Sequence, residues 1–151
     1  MKVLVFYIGA DRYGLPLAGV ARVLPAVALK QLPLAPAYVA GVMDLHGEPV
    51  PVIDLSRLAG LAPRQPWFDT RIILVDYPLD GGTTASLGLL AEHVTGVEQL
   101  DTAALRVPGI DSAAFLGQVA GGESGMLQLV RLDQLLGPEV RALLFSNRVQ
   151  A

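Results

Sequence analysis

The chain has no cysteine, which excludes a disulfide framework, a thiolate metal site and a cysteine nucleophile. No apolar run approaches the roughly 18–20 unbroken residues that a membrane span needs. Nor is there a lysine or arginine cluster: 11 basic and 14 acidic residues are scattered along the 151, for a formal charge of −3. A row of phosphates would have nothing to meet, so nucleic acid is excluded as a partner. Catalytic signatures are missing as well. There is no G-x-x-x-x-G-K, and neither Lys2 nor Lys30 follows a glycine; no G-x-S-x-G elbow and no H-E-x-x-H occur. The opening Met1-Lys2-Val3-Leu4-Val5-Phe6-Tyr7 lacks an extended basic region and a small-residue cleavage site, so it reads as a strand and not as a signal peptide. These absences predict an intracellular protein with no cofactor, no metal and no direct membrane insertion.

Apolar residues are what the chain has in excess, at 52% with a mean hydropathy of +0.49. Part of that excess is expected to stay on the surface as partner-binding patches, because exposed apolar patches usually mark interaction sites. The pattern is all-β. Val3–Ile8 and Ile72–Tyr77 are apolar, β-branched or aromatic runs bounded by Gly, Asp and Pro. Leu15–Leu17, Val50–Leu55, Leu87–Leu90 and Met126–Leu132 add shorter ones. Gly9–Gly14 and Pro78–Ala85 read as hairpin loops, with glycine supplying positive φ. Short helices are expected after Ser56, around Thr102–Leu105 and over Pro138–Leu144, and Ala62–Pro66 reads as a connector.

The two halves repeat. "GLPLAGVARV" from Gly14 and "GLLAEHVTGV" from Gly88 share Gly-Leu and then Val at the seventh and tenth positions. "VIDLSRLAG" (Val52–Gly60) matches "LVRLDQLLG" (Leu129–Gly137) at a similar separation. In each, an apolar strand meets Ser56 or Asp133, either able to cap a helix start, and a short turn stops at Gly60 or Gly137. The repeat predicts two similar β lobes within one domain, 1–65 and 66–151, each the size of an SH3-like barrel, with strands open to exchange between them. Gly14 should then correspond to Gly88, and Leu55 to Leu132.

Asp44, His46, Glu48 and Asp54 are the residues that resemble active-site chemistry. A His-x-Glu pair belongs to zinc deaminase sites, but those also need cysteine ligands. His46, beside the flexible Gly47, suits the tip of a hairpin. Asp54, just before a turn, suits local hydrogen bonding near a helix start; a catalytic carboxylate is the competing reading. Gly121–Gly125 is a lone glycine-rich loop.

Together these stretches resemble the CheW family of chemotaxis coupling proteins. "VLVFYIGADRYGLPLAGVARVL" is similar to the family's opening hairpin and next strand. "LPLAPAYVAGVMDLHGEPVPVIDL" resembles its signature, a Pro-Tyr/Phe turn followed by Gly-Val, Asn-Leu-Arg-Gly and Val-Pro-Val-Ile-Asp-Leu. "RIILVDY", "LGLLAEHVTGV" and "MLQLVRLDQLL" look like the strands of the second half. The resemblance runs from about Val3 to Leu144, with no kinase or phosphotransfer segment beside it, so free-standing CheW is the better match than CheA or CheV.

The resemblance implies two five-stranded SH3-like barrels, no catalytic activity and a cytoplasmic place at membrane-associated receptor arrays. It implies two partners, the cytoplasmic tip of a chemoreceptor and the regulatory domain of a CheA-like histidine kinase. By position it puts Arg22, Val23, Gly41, Asp44 and His46 on the kinase side. Val20, Leu87, Gly88 and Val94 fall on the receptor side, lining a groove for a helical hairpin. The chain departs from the family at Asp44-Leu45-His46, where Asn-Leu-Arg is usual, and at Arg22, where many members are acidic. The competing function is a small-ligand module using the groove between the lobes, although Val20, Val23, Leu87 and Val94 make that groove mainly apolar, which favours a helical partner.

Overall fold

A computed structural model describes residues 1–61, 70–109, 113–122 and 125–149. The expected connector Ala62–Pro66, and with it the boundary between the two halves, lies outside the described residues. Among the described residues ten strands form, in chain order β1 (Lys2–Ile8), β2 (Asp11–Pro16), β3 (Val20–Pro25), β4 (Val39–Leu45), β5 (Glu48–Asp54), β6 (Arg71–Pro78), β7 (Thr84–Ala91), β8 (His93–Gln99), β9 (Leu116–Gly122) and β10 (Gly125–Val130). Two helices, α1 (Leu55–Leu58) and α2 (Pro138–Val149), and a few 3-10 turns complete them.

The strands make two five-stranded sheets, ordered β8-β1-β2-β10-β9 and β3-β6-β7-β5-β4. Each sheet draws strands from both halves of the sequence: β1 and β2 sit with β8, β9 and β10, while β6 and β7 sit with β3, β4 and β5. The ladders correspond. Gly14 lies opposite Val5 and beside Leu129 of the parallel β10; Gly88 lies opposite Leu74 and beside Val52 of the parallel β5. The Asp54 N–H donates to the Tyr38 carbonyl at 2.8 Å, and Arg131 N–H to Phe115 at 2.6 Å.

Alternation along the strands explains the near-continuous apolar runs. Val3 and Val5 of β1 face a small core with Leu127 and Leu129. Leu4, Phe6 and Ile8 face the opposite way, into a central core shared with Ile73, Val75, Tyr77, Leu87 and Leu89. On β6 the same division sends Ile72 and Leu74 to a third core with Met43, Val50 and Val52. Both faces of β1 and β6 are therefore buried, and the central core joins the sheets.

Several local expectations are corrected. β2 begins at Asp11, so its turn is Gly9-Ala10 and not a six-residue loop, and Leu17 starts a 3-10 turn instead of ending a strand. α1 is capped by Asp54, whose carboxylate accepts from the N–H groups of Ser56 and Arg57 at 3.0 and 3.3 Å; Ser56 is a buried residue inside the helix. Gly60, at φ +83°, ends α1: its N–H donates to Arg57 and that of Leu61 to Ser56, the paired bonds of a Schellman motif. Asp133 lies inside a 3-10 turn that has no side-chain cap. Gly137 stops nothing; its carbonyl accepts from Arg141 in the first turn of α2.

Candidate functional site

The hairpin joining β4 to β5 is the most defined element of the expected kinase-side surface. His46 and Gly47 form its two-residue loop with φ of +51° and +88°, the left-handed pair that matches strand twist. The Asp44 carboxylate accepts the Gly47 N–H at 2.7 Å and so closes the turn. Asp44, His46 and Glu48 are all exposed. The carboxylate of Asp44 is thus partly committed to its own hairpin, while the imidazole of His46 projects from the tip.

Gly41 has an internal reason. It is buried at φ +148°, and a Cβ there would stand 2.5 Å from the carbonyl oxygen of Lys30. The close approach expected at Gly41 is made by its own chain: Lys30 and Val42 exchange two backbone hydrogen bonds, of 2.9 and 2.8 Å. This straps the long β3–β4 loop to the edge of β4. Nothing in the composition around Lys30 signals a strand pairing.

Arg22 and Val23 lie on β3, both exposed, with Val23 at 41%. Sheet pairing does not bring them to β4, because β3 and β4 are opposite edges of one sheet. The link between the two strands is indirect, since Leu24 of β3 and Ala40 and Leu45 of β4 pack on the same core.

The expected receptor groove is narrower than its four residues. Val20 and Val94 are half-buried and pack on the central core. Val20 lies opposite Val75 on β6, and Val94 opposite Phe6 on β1. Leu87 is fully enclosed in that core, so its side chain offers a partner no surface. Gly88 is buried, and a Cβ on it would meet Ile72 and Val52 methyls at 3.0 Å; its smallness serves the packing of its own sheet. Surface lining falls to Val20 and Val94.

A separate cavity of about 730 Å³ opens beside β2, β9 and β10, with Leu15, Val107, Leu116, Leu132 and Arg131 among its walls. None of Val20, Leu87, Gly88 or Val94 borders it, so the expected inter-lobe ligand groove and this cavity do not coincide. Among the described residues no group of three or more His, Asp or Glu side chains could hold a metal. Burial raises the Asp54 carboxyl above its ordinary pKa, against the lowering effect of its two backbone hydrogen bonds. Its geometry is that of a cap, not of an acid aimed at a substrate.

Two features escaped the sequence reading. Arg12, expected in a loop, is a buried β2 residue paired to Glu98 of β8 at 2.5 Å and bonded to the Gly125 carbonyl at 3.2 Å. Leu34, in the β3–β4 loop, is fully exposed at φ +67°, a backbone state costing a branched residue about 1–2 kcal/mol.

The CheW-like domain family matches residues 2–139. Protein FrzA of Myxococcus xanthus is 34% identical over 143 residues, covering 87% of this chain and 82% of FrzA. Chemotaxis protein CheW of Rhizobium meliloti is 26% identical over 144 residues, covering 93% and 90%. The crystal structure of the scaffolding protein TtCheW of Thermoanaerobacter tengcongensis superposes with a TM-score of 0.78 at 28% identity, over 89% of this chain and 90% of that one. With both five-stranded sheets inside the matched span, the chain belongs to the CheW-like domain family and is a non-catalytic adaptor of the chemotaxis coupling type.

Proposed function

We propose that this chain bridges the cytoplasmic tip of a chemoreceptor and the regulatory domain of a CheA-type histidine kinase at a receptor array. The observation that carries the reading is the family match over residues 2–139, which takes in both sheets and every residue proposed to touch a partner. The kinase side is Arg22 and Val23 on β3 together with Asp44 and His46 on the β4–β5 hairpin, with Gly41 holding the strap beneath. The receptor side is Val20 and Val94, supported from within by Leu87 and Gly88. Val23 gives an apolar anchor, while Arg22 gives orientation and partner choice more than affinity. No described helix is long and apolar enough to cross a membrane.

Arg22 implies an acidic residue opposite it on the cognate kinase. Titrating that regulatory domain against wild type and Arg22→Glu at low and high salt tests this. The variant should bind about tenfold more weakly at low salt, with the gap closing as salt screens it. Equal affinities at both salts would place Arg22 outside the interface.

A further inference from the structure

The cavity beside β2, β9 and β10 includes none of the residues proposed to touch a receptor or a kinase. At about 730 Å³ it has the size of a small-molecule site. Its walls are mainly apolar, with Leu15, Leu116 and Leu132 among them, and its polar side chains are Gln118, Arg131 and Asp133. Asp133 accepts a hydrogen bond from the Gln134 side chain at 3.2 Å. The Arg131 guanidinium has neither a hydrogen-bond partner nor an ion pair among the described residues. Its stem lies against Gly117 on the same wall, where a Cβ would stand 3.1 Å from Arg131 Cγ.

The other half of the repeat shows what is missing beside that cation. In the matching stretches Val52–Gly60 and Leu129–Gly137, Arg131 stands where Asp54 stands. The backbones agree, since the Asp54 N–H donates to Tyr38 and the Arg131 N–H to Phe115. Asp54 is a buried carboxylate and Leu55 beside it is enclosed, whereas Arg131 is exposed and Leu132 is half-buried on the cavity wall. One half thus carries a carboxylate of its own, and the other carries an unpaired cation beside an open cavity. We propose that this cavity binds a small molecule with an apolar body and a carboxylate, the body on Leu15, Leu116 and Leu132 and the carboxylate on Arg131. An anion is the fitting charge, because Arg131 is the one cationic side chain among the described wall residues. A forked guanidinium–carboxylate pair supplies the bonds that the chain leaves unmade. The site stands apart from the adaptor reading.

Decanoate and decanol are the probes, titrated by calorimetry into the full chain; they share an apolar body and differ in charge. Wild type should take up decanoate saturably, at a single site per chain. Arg131→Gln should bind decanoate about tenfold more weakly and decanol as before, while Arg131→Lys should keep part of the difference between the probes. Ala114→Phe, which fills the cavity from an exposed wall position, should weaken both probes. Melting curves matching wild type establish that each variant is folded. Decanoate affinity within about twofold of wild type in Arg131→Gln, or an equal loss of both probes, would mean an adventitious additive only and would overturn the site. Absence of saturable binding by wild type would do the same. An Ala114→Phe chain that holds decanoate as before but loses the receptor tip would assign the cavity to the receptor and overturn the ligand.

Discussion

Gly41 shows how one residue can join folding to recognition. Its missing Cβ lets the Lys30 carbonyl approach, and the strap so formed holds both the β3–β4 loop and the edge of β4. Gly41→Ala forces a contact of 2.5 Å with backbone and places alanine at a φ it rarely adopts. We expect a loss of about 1–3 kcal/mol, measured by urea unfolding, with kinase binding weakened along with it. Asp54 illustrates a second residue-scale balance. Its amide-capping bonds stabilise α1, yet burial raises its pKa. A carboxyl raised in the folded state binds more protons there than when unfolded, so its contribution to stability falls as pH rises from the unfolded pKa through the folded one. Asp54→Asn should flatten that slope while keeping an acceptor for Ser56 and Arg57. Asp54→Ala should cost about 1 kcal/mol from loss of the cap. Denaturation curves between pH 3 and 7 separate the two; an unchanged slope in Asp54→Asn would mean that another group carries it.

Among the elements, the ion pair between Arg12 and Glu98 ties β2 to β8 across the intervening β1. Arg12 is buried, so removing its partner strands a charge. Because the Glu98 side chain is itself 37% exposed, Glu98→Gln should cost about 1–3 kcal/mol, below the full value for an enclosed pair. A change under a few tenths of a kcal/mol in urea unfolding would show that water already screens it. This pair also shows where sequence reasoning stops. Runs such as Val3–Ile8 and Ile72–Tyr77 were readable as strands because both faces are largely buried and all but Asp76 are apolar or aromatic. β9 was not, and β8 was legible only through the family resemblance, because both are edge strands in which polar residues and Gly interrupt the apolar ones. Arg12 read as a loop residue because charge near two glycines is the usual mark of a turn, and only the β8 partner, far along the chain, reveals its burial. The hairpin tip at His46 was readable from Gly47 alone. The interior position of Leu87 was not, because an apolar β residue looks the same whether it faces a core or a groove.

At the scale of the whole molecule, we propose that the two sheets descend from one duplicated unit that exchanged its leading strand pair. The supports are paired: Gly14 with Gly88, Tyr38 with Phe115, and the isolated bridges Lys30–Val42 and Arg106–Val119. Superposing β1-β2-β8-β9-β10 on β6-β7-β3-β4-β5 should overlay Gly14 on Gly88 and Leu55 on Leu132, and a register shift at either pair would refute the duplication. Exchange leaves β3 at one edge of its sheet and β8 at one edge of the other, which is where Val20 and Val94 reach the surface. Receptor and kinase can then bind together only if Val20 and Val94 present a face distinct from the one formed by Arg22, Val23 and the β4–β5 hairpin. The most direct measurement is assembly of a ternary complex from the purified chain, the receptor tip and the kinase regulatory domain, followed by light scattering. Wild type should bring all three together. Val94→Asp should lose the receptor and keep the kinase, because it places a charge against an apolar helix. Arg22→Glu, at low salt, should keep the receptor and hold the kinase about tenfold more weakly. A folded wild-type chain that binds neither partner, or a folded Val94→Asp that loses both together, would contradict a bridge built on two independent faces.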